Sequence, residues 1–120
     1  MIDTISMADL EFQYLDFADE LDRVRETNDI NPAAWRALRM VAKAHLQGES
    51  IRTLDLMSMD EIASPATIHK IIKHLTEIGM IVIRADKHDG RVKYLIPSAR
   101  SLKLFRSLVD KMHSSLSANY

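Results

Sequence analysis

Between positions 64 and 93 the chain gathers the side chains best suited to holding an anionic polymer. Thr67, His69, Lys70 and Lys73 fall in one stretch, and Arg84, Lys87, His88, Arg91 and Lys93 in the next. Lys offers a mobile point charge, Arg a planar fork of five donors, and Thr and His short-range groups able to meet a base edge. Lys70, Lys73, Lys87 and Lys93 are therefore phosphate candidates, whereas Thr67 and His69 are candidates for base contact. Arg91 suits a narrow groove. Ser64 opens the first stretch, where the N–H groups of a helix N-terminus can receive a phosphate. Asp86 and Asp89 oppose this chemistry, because acids at a phosphate-facing tip repel it unless they orient an Arg.

The first stretch reads as a helix over 64–78. Ser64 can cap it, Pro65 fits its first position, and Gly79 suits the left-handed residue that ends a helix. At about 100° per residue, Ile68, Ile71, Ile72, Leu75 and Ile78 share one face, and Ala66, His69, Lys70, Lys73 and Glu77 the opposite one. Beyond Gly79 the period becomes twofold. Met80 to Arg84 and Arg91 to Ile96 predict a hairpin over 81–96, with positive-φ turn chemistry at Asp89-Gly90 and a stop at Pro97.

The remaining segments predict the frame. A helix from about Ile5 to Arg25 carries two apolar seams: Leu10, Tyr14, Phe17, Leu21 and Val24 on one side, Ile5, Ala8, Phe12 and Leu15 on the other. Two seams imply two partners, the domain itself and a second subunit. Asn31-Pro32 opens a helix to about Gln47, with Trp35, Leu38, Val41, Ala42 and Leu46 as its core stripe and Arg36, Arg39 and Lys43 on a solvated face. Thr53 is a cap candidate for a short helix at about 54–58. A tight turn then leads to Ser64, outlining a helix-turn-helix. From Ser98 to about Leu116 a last helix presents Leu102, Phe105, Leu108, Val109, Met112 and Leu116, and the tail from Ser117 to Tyr120 is expected to fray.

A chain of 120 residues with 47% hydrophobic and 28% charged residues predicts a single domain over 1–120, mainly α with a small β-hairpin wing. Without Cys there are no disulfides or thiolate metal sites, and no apolar run approaches ~18 residues, so the expected setting is the cytoplasm, away from membranes. The net charge of −1 hides an asymmetry. Residues 1–63 hold six basic against thirteen acidic residues, residues 64–93 six against three, and residues 94–120 four against one. Positive charge thus concentrates in the helix and hairpin. An enzyme is not expected: no Gly-rich phosphate loop or paired nucleophile and base occurs, and no cofactor or metal is implied. His69 and His74 lie five apart and on different parts of the helix. A zinc site assembled from the scattered histidines is the weaker alternative.

Across nearly its full length the chain resembles the MarR family of bacterial transcription regulators. The resemblance is carried by the two-seamed first helix, Leu56-Met57 before the turn, and Ser64-Pro65-Ala66-Thr67-Ile68-His69-Lys70 at the start of the fourth helix. Leu75 with Gly79-Met80-Ile81, and Asp89-Gly90-Arg91 with Leu95, complete it. It implies a winged helix-turn-helix homodimer on double-stranded DNA, paired through helices 5–27 and 98–116. The fourth helix would enter the major groove, with Ala66, Thr67, His69, Lys70 and Lys73 facing bases, and Asp89 would orient Arg91 in the wing. A small-molecule effector is compatible with the family. Two features depart from it: the chain ends soon after the last helix, and the wing is less basic than in strong DNA binders. The competing expectation is a winged helix that binds another protein instead of DNA.

Overall fold

The computed structural model describes residues 6–117. These form α1 (Met7–Thr27), α2 (Pro32–Leu46), β1 (Ile51–Arg52), α3 (Thr53–Met57), α4 (Pro65–Glu77), β2 (Ile81–Ala85), β3 (Lys93–Pro97) and α5 (Ala99–Ser117). Ile5, of the second expected seam of the first helix, and the tail from Ala118, part of the expected fraying end, lie outside the described residues, as does the side chain of Leu116. The chain divides into two compact units: Ile30–Leu102 form one, and the segments before Ile30 and after Leu102 form the other.

In the central unit, buried Ile30 precedes α2, which contributes Ala34, Ala37, Leu38, Val41 and Ala42. Leu56 from α3, four residues of α4, Met80, Ile81 and Leu95 complete this core. Asn31 caps α2 by accepting from the Ala34 N–H at 2.8 Å. Leu46, expected in the core stripe, is 74% exposed instead, because the last turn of α2 runs past the core. Arg36 also departs from a solvated role: its Nη1 donates to the Glu61 carbonyl at 2.9 Å, tying α2 to the turn before α4.

Three strands form an antiparallel sheet in the order β1-β3-β2. Sequence periodicity anticipates the β2–β3 hairpin but not β1, whose two residues are too few to show a period. Ile51 pairs with Leu95 and Arg52 with Tyr94. Thr53 is the first helical residue of α3 and not its cap; the cap position is Arg52, whose N–H donates to Asp55 Oδ2 at 3.3 Å. Pro97 ends the second strand as expected, as its last residue, paired with Ile81.

In the other unit α1 holds no buried residue, whereas Leu108 of α5 is buried. Phe17, Leu21 and Val24 are half-buried, but Leu10, Phe12, Tyr14 and Leu15 remain exposed. A Lys111–Glu20 ion pair joins α5 to α1 and lowers the Glu20 pKa.

Candidate nucleic-acid interface

The start of α4 is built by short-range bonds. Ser64 Oγ accepts from the Thr67 N–H at 3.3 Å and donates to Thr67 Oγ1 at 3.0 Å. Pro65 has no N–H, and the Ile68 N–H goes to the Ser64 carbonyl at 2.9 Å. The Ala66 N–H has no bond among the described residues, which leaves one donor aimed off the helix end. Ile68, Ile71, Ile72 and Leu75 are buried, so the helix cannot rotate without exposing them. This fixes Ala66, Thr67, His69, Lys70 and Lys73 on the exposed side.

The other end of α4 is closed with equal care. Gly79 adopts φ +76°, allowing the Met80 N–H to reach back to the Leu75 carbonyl at 2.9 Å. Ser98 Oγ donates to the Gly79 carbonyl at 2.6 Å, and Arg100 Nη1 donates to the Ile78 carbonyl. The exit of α4 into β2 is therefore held by residues at the start of α5.

The wing loop between β2 and β3 differs from the expected turn. Gly90 has no positive φ, and Asp86 organises the loop instead. Asp86 Oδ2 accepts from the N–H groups of His88 at 2.9 Å and Asp89 at 3.1 Å, while Oδ1 accepts from Tyr94 Oη–H at 3.3 Å. The Asp86 N–H closes the loop on the Val92 carbonyl at 2.8 Å. An Asp that bonds backbone N–H groups two and three residues ahead is a turn device, a reading that Asp86-Lys87-His88-Asp89 already permits. It is therefore not simply a charge opposing phosphate.

Asp89 engages Arg91 through three bonds. Its Oδ1 accepts from the Arg91 N–H at 3.1 Å and from Nε at 3.0 Å, and Oδ2 accepts from Nη2 at 3.1 Å. The Arg91 side chain is 92% exposed, so this fork stands in water with only the carboxylate limiting its rotamers. The Arg91 side-chain bond, helped by its backbone N–H, lowers the Asp89 pKa against a smaller opposing effect of desolvation; Asp89 correspondingly raises that of Arg91.

The basic wing residues do not share one surface. Alternation along the strands puts Ile81, Ile83 and Ala85 on the face of Leu95, Pro97 and Lys93, which includes the buried residues packed toward α2 and α4. Val82 and Arg84 lie on the other face with Tyr94 and Ile96. Lys93 is thus on the helix side of the sheet and Arg84 on the far side, while Lys87 and Arg91 belong to the loop. Among the described residues no group of three His, Asp or Glu is placed to hold a metal ion.

Comparison with solved structures finds this fold repeatedly. The S. aureus MepR–DNA complex superposes with a TM-score of 0.68 at 21% identity, covering 90% of this chain and 80% of that one. The transcriptional regulator Tm0710 from Thermotoga maritima gives 0.69 at 17% identity over 91% and 73%. NadR in complex with 4-hydroxyphenylacetate gives 0.60 at 18% identity over 93% and 76%. These neighbours are MarR and MarR-like regulators, and the fold of this chain is their winged-helix fold. No protein-family model and no curated protein sequence matches the chain.

Proposed function

We propose that the chain is a MarR-type, sequence-specific transcriptional regulator that binds duplex DNA as a homodimer in the cytoplasm. The observation that carries this reading is α4 itself: a buried apolar seam fixes Thr67, His69, Lys70 and Lys73 outward, and the loop of the following hairpin presents Arg91 to solvent. In this reading α4 enters the major groove, where Thr67 and His69 meet base edges and Lys70 and Lys73 meet phosphates. The Ala66 N–H receives a phosphate at the helix end, joined by the Ser64 hydroxyl when its O–H turns away from Thr67 Oγ1. The wing lies alongside, with Arg91 held by Asp89 for a narrow groove and Arg84, Lys87 and Lys93 contributing charge. Nothing in this arrangement calls for a reaction, a metal or a cofactor.

The single domain over 1–120 pairs with its copy through the first and last helices, whose exposed apolar residues, Phe12, Tyr14 and Leu15 among them, are then covered. MepR is a neighbour crystallised with DNA and NadR one crystallised with a small aromatic acid, so a small-molecule effector belongs to the same reading. The test is a gel shift with DNA from the chain's own genomic neighbourhood across a salt series. Binding should weaken linearly in log–log form, and Lys73→Ala, which removes one phosphate contact from each subunit of the dimer, should reduce the slope by about two. Absence of any salt-sensitive complex, with Lys73→Ala and Arg91→Ala together behaving as the parent, rejects the proposal.

A further inference from the structure

The far face of the sheet, turned from α2 and α4, holds a hollow of about 340 Å³ whose lining includes Arg84, Asp86, Lys87, His88, Tyr94 and Ile96. The cations Arg84 and Lys87 and the imidazole of His88 line it. Arg84, Lys87 and His88 make no side-chain hydrogen bond or ion pair among the described residues, unlike Arg52 and Arg91, which are held by Asp55 and Asp89. Asp86, the one acid of the lining, does not pair with them: its oxygens accept from two backbone N–H groups and from Tyr94. Arg84 and Lys87 outweigh the single Asp86 carboxylate, whose oxygens are turned to N–H and O–H donors, so the hollow keeps a net positive field that suits an anion.

The geometry points to a binding site for a phosphate monoester with a flat apolar body. Arg84 supplies a fork suited to two phosphate oxygens, and Lys87 and His88 supply further donors. Tyr94 and Ile96 provide an apolar floor for the body of the ligand, and the Tyr94 hydroxyl, already donating to Asp86, leaves the ring anchored beside the phosphate position. Tyr94 is the register partner of both Arg52 and Arg84, so the site rests on the centre of the sheet and not on the loop alone. Binding itself is independent of the DNA reading. The regulatory consequence rests on it: because Arg84 and Lys87 are also proposed DNA contacts, an occupied hollow withdraws them from the backbone and lowers DNA affinity.

The test is titration of the full chain with phenyl phosphate, inorganic phosphate and phenol, followed by amide and imidazole NMR shifts. Phenyl phosphate should give saturable shifts centred on Arg84 to His88 and Tyr94, inorganic phosphate weaker ones at the same residues, and phenol none. Arg84→Gln with Lys87→Gln should weaken phenyl phosphate roughly tenfold or more, and Tyr94→Leu should abolish its advantage over inorganic phosphate. Amide dispersion of each variant reports whether it is folded, and the Arg84→Gln and Lys87→Gln single variants provide a second reading of the same loss. Shifts spread equally over α4 and Arg91, no saturation, or equal affinity of the folded double variant would overturn the site. Competition against bound DNA is a separate arm. Saturable binding with no DNA complex keeps the hollow and removes the regulator reading, whereas a DNA complex indifferent to phenyl phosphate removes only the coupling.

Discussion

Helices α4 and α1 are both amphipathic, yet they use their apolar residues in opposite ways. α4 buries four aliphatic side chains within its own unit, and both of its ends are bonded to neighbours. α1 is longer, at 21 residues, but buries none, and Phe12 and Tyr14 are each 70% exposed. The difference separates two kinds of information in a sequence. A seam matched by other residues of the chain orients a functional surface, while an unmatched seam leaves apolar side chains facing water and is the feature on which the proposed pairing rests.

This contrast can be broken by substitution. Leu75→Ala should cost about 2–5 kcal/mol in urea unfolding, because it opens a cavity beside fully enclosed neighbours. Phe12→Ala should cost less than about 0.5 kcal/mol in the dissociated chain, since its ring already faces water. A comparable loss at both sites would end the distinction. Phe12→Glu with Leu15→Glu should leave the fold intact by circular dichroism yet yield the mass of one chain by light scattering at micromolar concentration, where the parent gives two. A parent that is itself monomeric there removes the proposed pairing.

Smaller effects probe how α4 is held. Ser64→Ala removes the cap and should cost about 1 kcal/mol, read from the urea midpoint. The smallest expected signal is at the wing. Arg91 holds the Asp89 carboxyl below the usual carboxylate range, so the contact is complete above that range and is lost as pH falls through the lowered value. A carboxyl-detected NMR titration should place the Asp89 midpoint below that of a free Asp, and Arg91→Ala should return it upward. An unchanged midpoint in that variant would show that Arg91 does not hold the carboxylate in solution.

What was legible in the sequence follows the range of the interactions involved. Ser64, Pro65 and Gly79 announce α4 because caps act within a few residues, and the spacing of Ile68, Ile71, Ile72 and Leu75 identifies its buried face. Leu46 obeys the same periodicity but misleads, since a period cannot tell where the core stops. β1 was hidden because its pairing with β3 is a tertiary event written in two residues. Asp86 was legible in principle, but as a charge it suggested repulsion while its geometry makes it the organiser of the loop. The split of Arg84 and Lys93 between opposite faces required the strand register.

The short strand β1 also bears on the order in which the central unit assembles. It joins β3 only after α3, α4 and the hairpin have been threaded between them, and the Thr53 hydroxyl bond to the Lys93 carbonyl closes a loop of forty residues. Such closure carries a large entropy cost and few bonds repay it at once, so this edge of the sheet is expected to zip last during folding and to open first in native-state hydrogen exchange. The wing is thereby anchored on its β3 side by the part of the unit that the chain finishes latest.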